Sequence, residues 1–187
     1  MENSKSRVEG ASLAKSTIPY GVIFGVILVL EFVLSYTLAL NSAENKGIGI
    51  AMGLMNNLIL PFLFIFLACN NFKNKLNGGY ISFGQSLKGG VSTMVIAALV
   101  SSVVTSIFYF IIPEAKAQIL EQTKISLASQ PGMTSDQMKM SLEFTEIFLR
   151  PYALIPVSIV MYAIIGLIIS LIVGAIIKKE NPGAFNQ

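Results

Sequence analysis

The sequence predicts an all-α fold: an integral membrane bundle of four transmembrane helices, with an extramembrane helical hairpin between the third and the fourth. Three observations carry this. Of 187 residues, 53% are hydrophobic and only 12% are charged, where a soluble domain carries about 25% charged residues to build its wet surface. Apolar runs at about 20–40, 48–69, 91–112 and 152–177 are each long enough, at ~1.5 Å per helical residue, to cross a hydrocarbon core of roughly 30 Å. The stretch 113–150 between the last two runs is polar and rich in helix formers. Residues 1–187 read as one membrane domain.

Composition also excludes. A formal charge of +3, scattered along the chain, offers no footprint for nucleic acid, and the basic residues that flank apolar runs act as topology signals. The chain has no histidine and one cysteine, Cys69. No disulfide can close within it, and no imidazole or thiol metal site can be assembled. Zincin sites and Ser-His or Cys-His pairs are equally out of reach, and the only aspartate, Asp136, lies outside the spans, so no intramembrane aspartyl dyad forms. No cofactor is expected, and the chain is not expected to be an enzyme.

Residues Met1–Thr17, with Lys5, Arg7 and Lys15, form a polar, mobile lead. The run 20–40 exceeds the ~7 to 15 residues of a signal-peptide core and so reads as a retained anchor. It carries one ionisable group near its middle, Glu31. A carboxyl at the bilayer midplane costs a few kcal/mol, so its face matters. At about 100° per residue, Glu31 shares an arc with Ser35, Gly21, Ala39, Gly25 and Tyr36, while Val22, Val26, Leu30, Val33 and Leu40 lie opposite. The small and polar arc is expected to pack, and the bulky one to face lipid.

The short connector Asn41–Gly47 returns the chain beside the first span. The second run, 48–69, holds Asn56-Asn57 and then Pro61. Proline lacks the N–H that would bond the Asn57 carbonyl, so a kink is expected there. Gly49, Gly53, Asn57 and Pro61 repeat every fourth residue, a stripe that lets a partner helix approach. Asn57 and Glu31 sit at equal depth below the same boundary and are expected to pair, so Glu31, Ser35, Asn56 and Asn57 form the candidate intramembrane polar site.

A polar connector, Asn70–Lys88, follows, with Lys73, Lys75, Lys88 and a turn signal at Asn77-Gly78-Gly79. Ser82 and Gln85 have the spacing of a capping box, so a helix begins at Ser82 and runs through Gly89-Gly90 into the third span; the glycines match no phosphate-loop pattern. The stretch from Tyr80 through Ser82, Gly84, Gln85 and Lys88 to Gly90, followed by a Ser/Thr-rich span that ends at Pro113-Glu114, resembles the bacterial membrane family catalogued as domain of unknown function 4199. That resemblance implies a four-helix protein of the inner membrane and brings no reaction or ligand with it.

The third span carries Ser92, Thr93, Ser101, Ser102, Thr105 and Ser106. A water-lined path is one reading. Close packing, with each hydroxyl bonded to a carbonyl one turn earlier, is the favoured one. In 113–150, Pro131-Gly132 makes a turn and Thr134 with Gln137 caps a second helix. On that helix Met140, Phe144, Ile147 and Phe148 share one face, a candidate partner face that needs cover from the membrane interface, the first hairpin helix or another protein. Along the fourth span Ser158, Tyr162, Gly166, Ser170 and Gly174 recur every fourth residue, a packing stripe for a helix of the same bundle or of a second copy.

Lys5, Arg7, Lys15, Lys73, Lys75, Lys88, Lys178 and Lys179 outnumber Lys46, Lys116, Lys124, Lys139 and Arg150, which predicts a multi-pass bacterial inner-membrane protein with both termini cytoplasmic. The lipid bilayer is the first expected partner; a protein partner or a homo-oligomer would use the fourth span or the outer hairpin. The functional expectation is a non-catalytic binding or assembly component of the membrane. The alternative is a small transporter or channel subunit in which Glu31 titrates.

Overall fold

Glycine and serine positions bring the helices of this chain together, and proline sets where the second span departs from regular geometry. The computed structural model describes residues 2–38 and 46–180. The elements are α1 (Glu2–Thr37), α2 (Lys46–Leu54), a π-helical segment (Met55–Ile59), α3 (Leu60–Asn71), a second π-helical segment (Phe72–Leu76), α4 (Phe83–Ile111), α5 (Glu114–Ala128), α6 (Ser135–Phe148) and α7 (Pro151–Ile177). Four stretches among the described residues, 13–37, 47–76, 83–111 and 151–177, are helical, long and apolar enough to cross a membrane. The connector expected at Asn41–Gly47 lies largely outside the described residues, as do Ala39 and Leu40.

Two boundaries differ from the sequence reading. The polar lead is helical from Glu2, continuous with the first span. Its last turn is locked into the bundle, since Ser16 Oγ donates to the Ala68 carbonyl (2.7 Å) and accepts from Asn71 Nδ2 (3.2 Å). The second span continues past Cys69 to Leu76 because Asn70 and Asn71 do not end it: Phe72 is buried, and Lys73 Nζ reaches the Ile177 carbonyl (2.9 Å), placing a cation at the carbonyl end of α7.

Just before Pro61 the helix changes register. Through Met55–Ile59 the backbone bonds one residue further than in an α-helix, with the Leu60 N–H on the Met55 carbonyl. The insertion absorbs the donor that proline lacks. It also breaks the glycine stripe: Gly53 has nothing within 4 Å of where a Cβ would stand and Asn57 is exposed, yet Pro61 is buried.

Helix α4 is the hub. It makes the largest helix contact of the fold with α7 and the next largest with α1, and it also meets α3 and α5. Its start is the expected capping box, with Gln85 N on Ser82 Oγ (3.1 Å) and Ser82 N on Gln85 Oε1 (2.9 Å). The small-residue stripes serve these contacts. A Cβ on Gly25 would stand 2.8 Å from the Ala97 carbonyl oxygen, and one on Gly166 would stand 2.9 Å from Met94 Cβ. Ser170 donates to the Gly166 carbonyl and lies against Gly90. Three members of the fourth-span stripe, Gly166, Ser170 and Gly174, are thus committed to α4 within the bundle.

The apolar core falls into two parts. One, toward the chain termini, gathers Phe24, Phe64, Ile65, Met94, Ile169 and Val173, with Phe24 and Phe64 stacked at 5.0 Å. The other, toward α5 and α6, gathers Tyr109, Ala115 and Leu149 with Phe32, Tyr36, Phe108 and Leu154 against them. There Phe108 takes both Phe32 and Tyr36 edge-on, at 5.2 and 5.4 Å.

Candidate functional site

Between the two cores the bundle does not close. A cavity of about 320 Å³ remains, lined by Leu28, Glu31, Phe32 and Ser35 of α1, Met52 and Asn56 of the second span, Ser101, Ser102 and Thr105 of α4, and Leu154, Ser158 and Tyr162 of α7. Each span presents residues three or four apart, so one face of each helix contributes. The void has a cause in the sequence. At this level α4 offers hydroxyls where the levels above and below offer Met94 and Tyr109, and a serine leaves room that a large apolar side chain would fill.

Glu31 faces this cavity. Asn56 Nδ2 donates to Glu31 Oε1 at 2.9 Å, which joins the first and second spans through a carboxyl and a carboxamide. The expected partner was Asn57, and the structure corrects it to Asn56. Asn57 donates instead to its own helix, to the Gly53 carbonyl (2.9 Å). The reason is rotational: Asn56 lies one turn from Met52 on the cavity face, whereas Asn57 continues the face of Gly53, which meets nothing. Equal depth was a sound guide to the helices that pair and a poor one to the residue.

Asn56 Oδ1 is buried and has no hydrogen-bond partner among the described residues. Buried acceptors are nearly always paired, so this atom marks a place where a donor or a positive charge belongs. Two of the three α4 hydroxyls at the cavity point back to their own helix: Ser101 Oγ donates to the Ala98 carbonyl (3.3 Å) and Ser102 Oγ to the Leu99 carbonyl (3.4 Å). Their protons are committed to their own helix, and their oxygens remain as acceptors.

The hydroxyls of this span divide between packing and the cavity wall. Thr93 bonds to the Gly89 carbonyl (2.8 Å) and Ser106 to the Ser102 carbonyl (2.7 Å), as packing required, while Ser101, Ser102 and Thr105 line a cavity. Ser35 takes its expected place beside Glu31. Ser158 and Tyr162, assigned by spacing to the packing stripe, line the cavity instead. The available signal was the stripe's own change from glycine to larger polar residues toward its start. Phe32, Met52, Leu28 and Leu154 carried no such signal.

A smaller cavity of about 140 Å³ shares Phe32 and Ser35 with the first and is otherwise lined by Tyr36 and by Ala115, Gln118, Ile119 and Gln122. Phe32 thus stands between the polar cavity and the inner face of α5. On α6 the candidate partner face, Met140, Phe144, Ile147 and Phe148, is exposed. Helix α5 touches α6 without covering these four, because Leu142, Thr145 and Leu149 are the more buried side of α6.

A family model described as "Protein of unknown function (DUF4199)" matches residues 19–179, which include every residue of the cavity. No curated protein and no solved structure matches the chain.

Proposed function

The chain belongs to the DUF4199 family of proteins of unknown function, which brings no reaction with it, and from that premise we propose that it is a non-catalytic integral membrane protein that binds a small polar ligand in the cavity around Glu31. One observation carries the reading: a carboxyl and an unpaired carboxamide oxygen lie in a void lined by all four spans. A purely structural role has no use for such a void, since filling it with apolar side chains would hold the helices better. The absence of histidine and the single cysteine in the sequence support a binding role over a catalytic one.

The setting we propose is a bacterial inner membrane, with both termini in the cytoplasm and α5 and α6 outside. The excess of lysine and arginine around the termini and the 73–88 connector supports that orientation.

The binding reading requires water in the cavity, and thiol chemistry tests it. In a Cys69→Ala background, Ser158→Cys is expected to react with a small water-soluble methanethiosulfonate, because the reagent needs a hydrated thiolate. Val160→Cys, on an exposed face of the same helix, is expected to stay unmodified in lipid. Equal rates at the two positions would remove the reading.

A second reading, a small transporter or channel subunit, draws on the position of Glu31 at the cavity wall. There Glu31→Gln should fold normally and abolish cation- or proton-coupled flux in sealed vesicles. Binding without transport predicts no such flux in either protein.

A further inference from the structure

We propose that the cavity around Glu31 is a site for a single monovalent cation, an alkali-metal ion or a small protonated amine. This rests on the reading of the cavity as a binding site and names what it binds.

Charge comes first. Among the lining residues Glu31 carries the only carboxyl, and no lysine or arginine is present. A carboxyl in a membrane span is costly as a bare charge, and a positive charge close by offsets that cost. One negative charge is matched by one positive charge.

The neutral groups point the same way. Asn56 uses its donor on Glu31 and leaves Oδ1 buried and unpaired. Ser101 and Ser102 donate to their own helix and offer oxygen lone pairs. Glu31, Asn56, Ser101 and Ser102 thus offer oxygen acceptors to the cavity, and oxygen is the ligand atom of hard cations. An anion would meet no positive group here. A divalent ion is disfavoured for a different reason, since its two positive charges would meet a single carboxyl in the lining, and no group of three or more His, Cys, Asp and Glu occurs among the described residues. Phe32 and Tyr162 add aromatic rings to the lining, and such rings attract cations. At about 320 Å³ the cavity accepts a partly hydrated ion or an alkylammonium group.

The competing account puts a proton on Glu31 and lets the acid donate to Asn56 Oδ1. It needs no ion, and it makes the site blind to the identity of the salt.

The test uses the full chain in nanodiscs of zwitterionic lipid, with thermal unfolding followed in sodium, potassium, methylammonium or N-methylglucamine chloride at constant ionic strength. At least one of the first three is expected to raise the midpoint saturably above N-methylglucamine. The alkali and methylammonium arms separate an inorganic from an organic guest. Glu31→Gln should abolish the response, and Asn56→Leu should raise the half-saturating concentration about tenfold. Because either variant can fold poorly, the same cation should also slow modification of Ser158→Cys in a chain that keeps Glu31 and Asn56. Identical midpoints and identical modification rates in all four salts would overturn the proposal, as would a response that survives Glu31→Gln or a stronger one to calcium. If Ser158→Cys reacts but ignores the salt, only the cation is lost. If it reacts in no salt, the binding cavity falls as well.

Discussion

Asn56 and Asn57 are neighbours with opposite fates, and the difference can be measured. Asn56 bonds across to Glu31, whereas Asn57 bonds back to Gly53 within its own helix. Side-chain hydrogen bonds between membrane helices are worth about 1 kcal/mol. Asn56→Leu is therefore expected to lower stability by about that amount in detergent unfolding, and Asn57→Leu to leave it nearly unchanged. Equal losses would contradict the assignment. The sequence made Glu31 legible as a carboxyl on the packed side of the first span and pointed to the right dipeptide. It did not choose between the two asparagines, because the choice depends on how the second span is rotated, with Met52 and Asn56 toward the cavity and Gly53 and Asn57 away from it. Pro61 announces a disturbance there without saying whether the helix will bend or change register.

At the scale of elements, the fourth-span stripe illustrates what spacing can and cannot say. Its period identified a surface for close approach, and the structure gives Gly166, Ser170 and Gly174 to α4. Spacing alone left a second copy equally eligible, since small residues specify distance and not identity. Gly166→Leu should force side-chain volume into Met94, which stands 2.9 Å from the site of a Cβ, and overpacking of this kind costs about 1 to 3 kcal/mol. Gly53→Ala, with open space around it, should cost nothing measurable in the same unfolding assay. The α6 face was also legible as amphipathic, and its cover was not. It ends at Phe148, next to the start of α7 at Pro151, and exposed Phe110, Ile111 and Tyr152 lie at the same end of the bundle. That continuity with the lipid-facing surface favours the bilayer interface as its cover. The chain lacks tryptophan, so Phe144→Trp gives a clean probe. Its fluorescence is expected to be quenched by brominated lipid, and emission insensitive to brominated lipid would argue against interfacial seating.

For the whole molecule, four apolar runs and two capping boxes were enough to foresee the bundle, because transmembrane length and helix starts are local properties. The cavity is not local. It arises where Ser101, Ser102 and Thr105 on α4 meet Ser158 and Tyr162 on α7 across from Glu31, and each of these residues also suits ordinary packing when read one helix at a time. Orientation is tested with exposed positions. In a Cys69→Ala background, Ser129→Cys should label from outside intact cells with an impermeant reagent and Lys75→Cys should not; the reverse pattern would invert the bundle. The account as a whole stands on a hydrated polar face inside the membrane. A cysteine scan of α7 from Leu154 to Ile164 measures it most directly. Rates of modification by a small methanethiosulfonate should peak at Leu154, Ser158 and Tyr162, which line the cavity, and fall at Val157, Val160, Met161 and Ile164, which face outward. A profile without that four-residue period would contradict the account.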